Sequence, residues 1–153
     1  MKGMRKIDRQ MTDEETLEVL LKGEYGILST IDTNGQPFGT PLSYVVKEGG
    51  IYFHGALEGT KLDNIYFNEK VCFTVVGITK VLEDKFSTEF ESIMAFGDAS
   101  IIDGEEKLLA LREIIKKYSP GFVEAGEMYI NKAIEKTCVV RIKITHLTGK
   151  HRV

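Results

Sequence analysis

The chain has 153 residues, 42% of them hydrophobic and 28% charged, with a formal net charge of −3. That length suits a single domain over residues 1–153. The basic residues are scattered without interleaved aromatics, which argues against nucleic acid, and no apolar run is long enough to span a membrane. No apolar signal region follows the basic start Met1-Lys2-Gly3-Met4-Arg5-Lys6, so a cytoplasmic protein is expected.

In chain order, Thr12-Asp13-Glu14-Glu15 forms a capping box ahead of Leu17, Leu20 and Leu21, and Gly23 suits the end of that short helix. Residues 25–31 read as a strand. Asp32-Thr33-Asn34-Gly35 reads as a hairpin turn, with Asn-Gly supplying positive φ. Residues 37–46 form one return strand, Lys47-Glu48-Gly49-Gly50 a second turn, and 51–54 a third strand. Tight turns make these three strands antiparallel neighbours.

A second helix is expected over 60–67, with Leu62, Ile65 and Tyr66 at helical spacing and Asn68-Glu69 ending it. Residues 71–76 are nearly all apolar, as in a fully buried strand. Residues 78–82 extend it, and 83–88 form an exposed charged loop that would serve as a lid. A long curved strand spans 90–102, and Gly97 inside it marks a bulge or a close backbone approach. Leu108, Leu109, Leu111, Ile114 and Ile115 mark an amphipathic helix stopped by Pro120-Gly121, and a weaker helix covers 124–134. The last strand, 137–145, sets Val139, Arg141 and Lys143 against Val140, Ile142 and Ile144. About six strands with hairpins and flanking helices predict an α+β, mainly β fold around a small antiparallel barrel.

Cys72 and Cys138 sit in apolar runs and are expected to be buried free thiols. With His54, His146 and His151 they form no metal-ligand spacing, so no metal is expected. Tyr66, Tyr118, Phe122 and Tyr129 read as core or interface anchors, and Asp63 as a first-turn helix acid.

The most informative segment is Gly59-Thr60-Lys61. A lysine in the first turn of a helix opposes the positive end of its dipole, which favours anions. An anion seated on the helix end removes the conflict, and phosphate is the usual one. A solvated surface lysine is the competing explanation. His54, at the end of an apolar strand, suits either a backbone-bonded structural role or proton delivery near neutral pH. Pro41 denies the strand one donor, so Thr40, Pro41, Leu42 and Ser43 would leave a carbonyl-lined slot for a flat ring.

The chain resembles the flavin-binding split-barrel proteins related to pyridoxamine 5′-phosphate oxidase, in the branch that holds the nitroimidazole-resistance (Nim) proteins. The likeness rests on Tyr25-Gly26-Ile27-Leu28-Ser29-Thr30, Gln36-Pro37-Phe38-Gly39-Thr40-Pro41-Leu42-Ser43-Tyr44, and Ile51-Tyr52-Phe53-His54-Gly55-Ala56. It continues through Gly59-Thr60-Lys61-Leu62-Asp63, Asn68-Glu69-Lys70-Val71-Cys72-Phe73, the run from Phe90 to Ala99, and the closing Val140-Arg141-Ile142-Lys143-Ile144 with Thr148-Gly149-Lys150.

The resemblance implies an antiparallel split β-barrel with flanking helices, and a homodimer with FMN at the subunit interface. It implies phosphate contacts from Gly59, Thr60 and Lys61, and ring contacts from Thr40, Pro41, Leu42, Ser43, Phe53, His54 and Ser92. The activity implied is an FMN-dependent oxidoreductase acting on a nitroaromatic such as a 5-nitroimidazole, on a quinone-like acceptor or on a small metabolite. The chain has no Trp, so the substrate signature of pyridoxamine-phosphate oxidation itself is missing. It also lacks a Gly-rich dinucleotide fingerprint, so NAD(P)H would bind only transiently. A flavin-storage protein without turnover is the alternative. A haem or deazaflavin barrel ranks below it, with His54, His146 or His151 as axial ligand.

Overall fold

The computed structural model describes residues 1–152. Its strands are β1 (Gly26–Ile31), β2 (Pro37–Leu42), β3 (Val45–Lys47), β4 (Gly50–Gly55), β5 (Lys70–Leu82), β6 (Ser87–Ile102) and β7 (Cys138–Arg152). The helices are α1 (Asp13–Lys22), α2 (Thr60–Phe67), α3 (Gly104–Tyr118) and α4 (Val123–Ala133). All seven strands join one antiparallel sheet in the order β2-β1-β5-β6-β7-β4-β3, the curled sheet of a split barrel.

Local signals account for most elements. Thr12 and Glu15 cap α1 reciprocally, each accepting the other's backbone N–H at 3.1 Å. In the first hairpin, Asp32 Oδ1 accepts the N–H groups of Asn34 and Gln36 at 2.8 and 2.9 Å. Gly35 alone takes positive φ there, at 77°; the expected positive φ at Asn34 is absent because the Asp32 side chain shapes the loop.

The expected return strand 37–46 is broken into β2 and β3, which lie at opposite ends of the sheet order. The break at Ser43-Tyr44 is the split of the barrel. Tyr44 leaves the strand ladder, and α3 supplies its hydrogen bonds. The Tyr118 hydroxyl accepts the Tyr44 N–H at 3.0 Å and lies within donating distance of the Tyr44 and Glu24 carbonyls, at 3.0 and 2.5 Å. The Lys117 ammonium donates to the Tyr44 carbonyl at 2.8 Å and sits 3.9 Å from the centre of its ring. The fully buried Tyr44 ring meets Phe73 edge-on at 4.9 Å, and its hydroxyl donates to the Leu20 carbonyl at 2.5 Å. Tyr118 is thus an intramolecular anchor. Tyr66, Phe122 and Tyr129 are exposed and lie outside the core of the chain.

β5 is not buried on both faces. Val71, Phe73 and Val75 point into the barrel, while Cys72 and Thr74 are half-buried and Val76 is exposed. Both cysteines are free, but only Cys138 is buried. β5 and β6 run on as a hairpin whose tip, Glu83–Lys85, is a short 3-10 turn.

Strand alternation divides the apolar residues into two cores. Ile51, Phe53, Val140 and Ile142 face the barrel interior with Leu28, Phe73 and the α2 residues Leu62 and Ile65. Val45, Tyr52 and Val139 face outward, under Ala110, Leu111 and Ile114 of α3 and Ile130 of α4. The register of β6 on β7 shifts between Phe96 and Gly97. A Cβ on Gly97 would stand 2.3 Å from the Lys143 carbonyl oxygen, so only glycine lets the strands approach there.

Two substitutions test these contacts by urea unfolding. Tyr118→Phe removes the clamp on Tyr44 and is expected to cost about 1–3 kcal/mol, the cost of unsatisfied buried backbone groups. Gly97→Ala is expected to cost at least about 1–3 kcal/mol, because the clash is with backbone. Unchanged midpoints would remove both contacts from the account of stability.

Candidate functional site

The site starts at the N-terminus of α2. Gly59 precedes the helix at φ 150° and offers no side chain to the first-turn N–H groups. Side-chain-bearing residues rarely adopt that angle, and nothing lies within 4 Å of where a Cβ would stand. The helix end therefore faces open space with donors that no intrahelical carbonyl can reach. Thr60 is exposed beside it. Leu62 and Ile65 hold the helix against the barrel core, and Asn64 Nδ2 donates to Thr30 Oγ1 at 3.0 Å inside it.

Lys61 folds back toward β4. Its Nζ lies 3.4 Å from where a Cβ on Gly55 would be, and it pairs with no carboxylate among the described residues. Gly55 pairs with Cys138 across the β4–β7 ladder. Burial raises the pKa of the Cys138 thiol, and the Lys107 and Lys61 ammonium groups oppose that rise. A cation, a row of free N–H donors and a vacant approach together make a cradle for an anion.

His54 precedes Gly55, and alternation turns it to the face of Tyr52, away from the barrel interior. It keeps solvent access, but the surrounding protein removes enough water to lower its pKa, and the Lys61 charge lowers it further. His54 is thus held toward its neutral form, next to a cation.

The other expected contacts are spread out. Phe53 is 1% exposed, within the inner core. Thr40 lies opposite Leu28 on the inward side of the edge strand β2; Leu42 packs on the inner core, and Pro41 is exposed outward. Ser43 lines a separate cleft of about 640 Å³ with Tyr25, Lys117 and Tyr118. Ser92 lies opposite Lys150, whereas His54 lies opposite Val139. Those partners are eleven residues apart on β7, about 35 Å of extended strand. One chain therefore gathers Gly59, Thr60, Lys61 and, at the margin, His54, but not Ser92.

Three neighbours of the corner lay outside the sequence-based expectation: Gly55, Cys138 and Asn64. Gly55 sits in the informative segment, and its nearness to Gly59 was the available signal. No local pattern links Cys138 or Thr30 to α2, because both are brought there by strand pairing.

Residues 12–151 match the family model for pyridoxamine 5′-phosphate oxidase. No curated protein sequence matches the chain. Among solved structures, the chain is similar to a candidate 5-nitroimidazole antibiotic resistance protein from Bacteroides thetaiotaomicron VPI-5482, with a TM-score of 0.77, 23% identity, and coverage of 98% of this chain and 89% of that one. It is similar to the flavocytochrome Anf3 from Azotobacter vinelandii, with a TM-score of 0.81, 26% identity, and coverage of 99% and 72%. It is also similar to an FAD- and haem-binding protein from Mycobacterium smegmatis, with a TM-score of 0.81, 18% identity, and coverage of 94% and 73%. With the match running through both the barrel and the α2 corner, the chain belongs to the pyridoxamine 5′-phosphate oxidase family.

Proposed function

We propose that this protein is an FMN-dependent oxidoreductase, with the FMN phosphate on the α2 corner. The observation that carries this is the open helix end behind Gly59 with the Lys61 ammonium beside it, which pairs with no carboxylate among the described residues. The donor set fits a phosphate: backbone N–H groups, the Thr60 hydroxyl and one cation. Family membership and flavin-binding proteins among the similar structures support it. Nitroaromatic or quinone-like compounds are the proposed substrates, in keeping with the resistance protein of the same fold.

The flavin, when bound, supplies the electron-transfer chemistry, and the protein supplies binding, orientation and electrostatics. Gly59, Thr60 and Lys61 bind and orient the phosphate end. His54, held toward its neutral form, would be a proton acceptor at its ring nitrogen. The proposed assembly is a homodimer with the flavin at its interface. Its support is the corner's openness in one chain, the remoteness of Ser92, and exposed apolar residues such as Val76, Ile78 and Val81 on the β5–β6 hairpin. In that assembly Ser92 reaches the flavin from the partner, and NAD(P)H binds transiently as electron donor.

An absorption spectrum of freshly purified protein, or of protein loaded with FMN and then freed of unbound FMN by gel filtration, is expected to show flavin bands. A Soret band would transfer the assignment to haem, and a yellow protein that NAD(P)H cannot reduce would make it a storage protein. Lys61→Ala is expected to weaken FMN binding by about 1.5–3 kcal/mol, the worth of a charged hydrogen bond. An unchanged dissociation constant would remove Lys61 from the site.

The lowered His54 pKa sets a direction for stability. Because the unfolded chain binds this proton more tightly, the folded state loses stability as pH falls below about 6.5, the ordinary histidine value. His54→Gln is expected to flatten that loss in thermal unfolding measured from pH 7.5 to 5. An equally steep loss in the variant would assign it to other groups.

A further inference from the structure

The outer face of the sheet carries a second polar cavity, of about 580 Å³, that the flavin corner does not use. Its floor is a row across three strands. Lys47 on β3 lies opposite Gly50 on β4, and Gly50 lies opposite Lys143 on β7. The two lysines thus flank a glycine at two strand spacings, about 10 Å between backbones. A Cβ on Gly50 would stand 3.1 Å from the Tyr52 ring and 3.4 Å from Arg141 Cγ, so the absence of a side chain keeps the floor open. Arg141, opposite Tyr52, stands in the next row on the same face.

Three cations, Lys47, Arg141 and Lys143, line the cavity together with the carboxylates of Glu48, Glu105 and Glu106. Of the acids beside them, Glu106 is committed: its Oε1 accepts from Arg141 Nη1 at 2.8 Å and from the Tyr52 hydroxyl at 3.2 Å. Glu48 and Glu105 are exposed members of the same lining, and no carboxylate pairs with Lys47 or Lys143 among the described residues. Arg141 Nε has no hydrogen-bond partner among the described residues and no solvent access of its own. The start of α3 borders the cavity, and its first turn carries Glu105 and Glu106. Leu109 and Ala110 supply an apolar wall.

We infer that this cavity binds a small organic dianion. The anionic head sits over Gly50 between Lys47 and Lys143, near Arg141, and the organic body lies against Leu109 and Ala110. A phosphate monoester and a dicarboxylate share that chemistry, and size favours either over a bare inorganic ion. The site is separate from the α2 corner and stands whether or not that corner holds a flavin.

The test titrates phenyl phosphate and phthalate into ¹⁵N-labelled protein in a phosphate-free buffer. Both wild type and Lys61→Ala are used, so that binding at α2 is discounted. Saturable amide shifts at Gly49, Gly50 and Ala110 are expected in both proteins, and the tighter ligand identifies the head group. The Lys47→Gln/Lys143→Gln double variant keeps both side-chain stems and should lose at least tenfold in affinity. Lys116→Gln, on the outer surface of α3, should leave affinity unchanged. Shifts confined to residues 59–62, no saturable shifts, or equal affinity in the double variant would overturn the inference.

Discussion

The barrel depends on the hydrogen bonds that close its split. β2 and β3 belong to opposite edges of one sheet, and Ser43 and Tyr44 must carry the chain between them. A backbone that leaves a ladder inside a protein needs other partners. Tyr118 and Lys117, at the last turn of α3, bond both polar groups of the Tyr44 backbone. The Tyr44 side chain runs the other way, into Phe73 and the Leu20 carbonyl. One residue thus ties the end of α1, the end of α3 and the inner core together. Burial lowers the Lys117 pKa, yet its ammonium stands over the Tyr44 ring, which the ring's negative face favours.

With the split closed in this way, strand parity decides what each residue can do. On β4, Ile51 and Phe53 belong to the inner core, while Tyr52 belongs to the outer one. The same alternation places His54 outward and brings Gly55 under the Lys61 ammonium. On β7 it gives Val140 and Ile142 to the barrel and leaves Arg141 and Lys143 on the outer face, where the second cavity forms. The two polar regions therefore flank one strand pair, β4–β7, and each has a glycine where another side chain comes close. At Gly55 the neighbour is an ammonium, and at Gly50 a tyrosine ring and an arginine stem.

The α2 corner shows a local conflict in the sequence becoming a feature of the fold. A lysine in the first turn opposes the helix dipole, and Gly59 withholds the usual cap. Neither choice favours the helix alone. Tertiary contacts offset the cost, since Leu62 and Ile65 plug the barrel and Asn64 bonds Thr30 inside it. The Lys61 ammonium and the uncapped start of α2 are thereby held on an element packed into the core.

Elements with strong local signals were legible without the structure. The capping box of α1, the bounds of α2, the amphipathic α3 ended before Pro120-Gly121, and the bulge at Gly97 all follow from short-range sterics and periodicity. So does the placement of Gly59-Thr60-Lys61 at the start of α2, because helix-end signals act within one turn. Tertiary structure alone decided the break between β2 and β3, since its partners lie 74 residues away at Tyr118. It also decided the half-exposed second face of β5, the separation of Ser92 from Lys61, and the row of Lys47, Gly50 and Lys143. Each of these is set by which strands pair and in which register. Register is a long-range property, fixed by the burial of a whole sheet face and not by any short stretch of sequence.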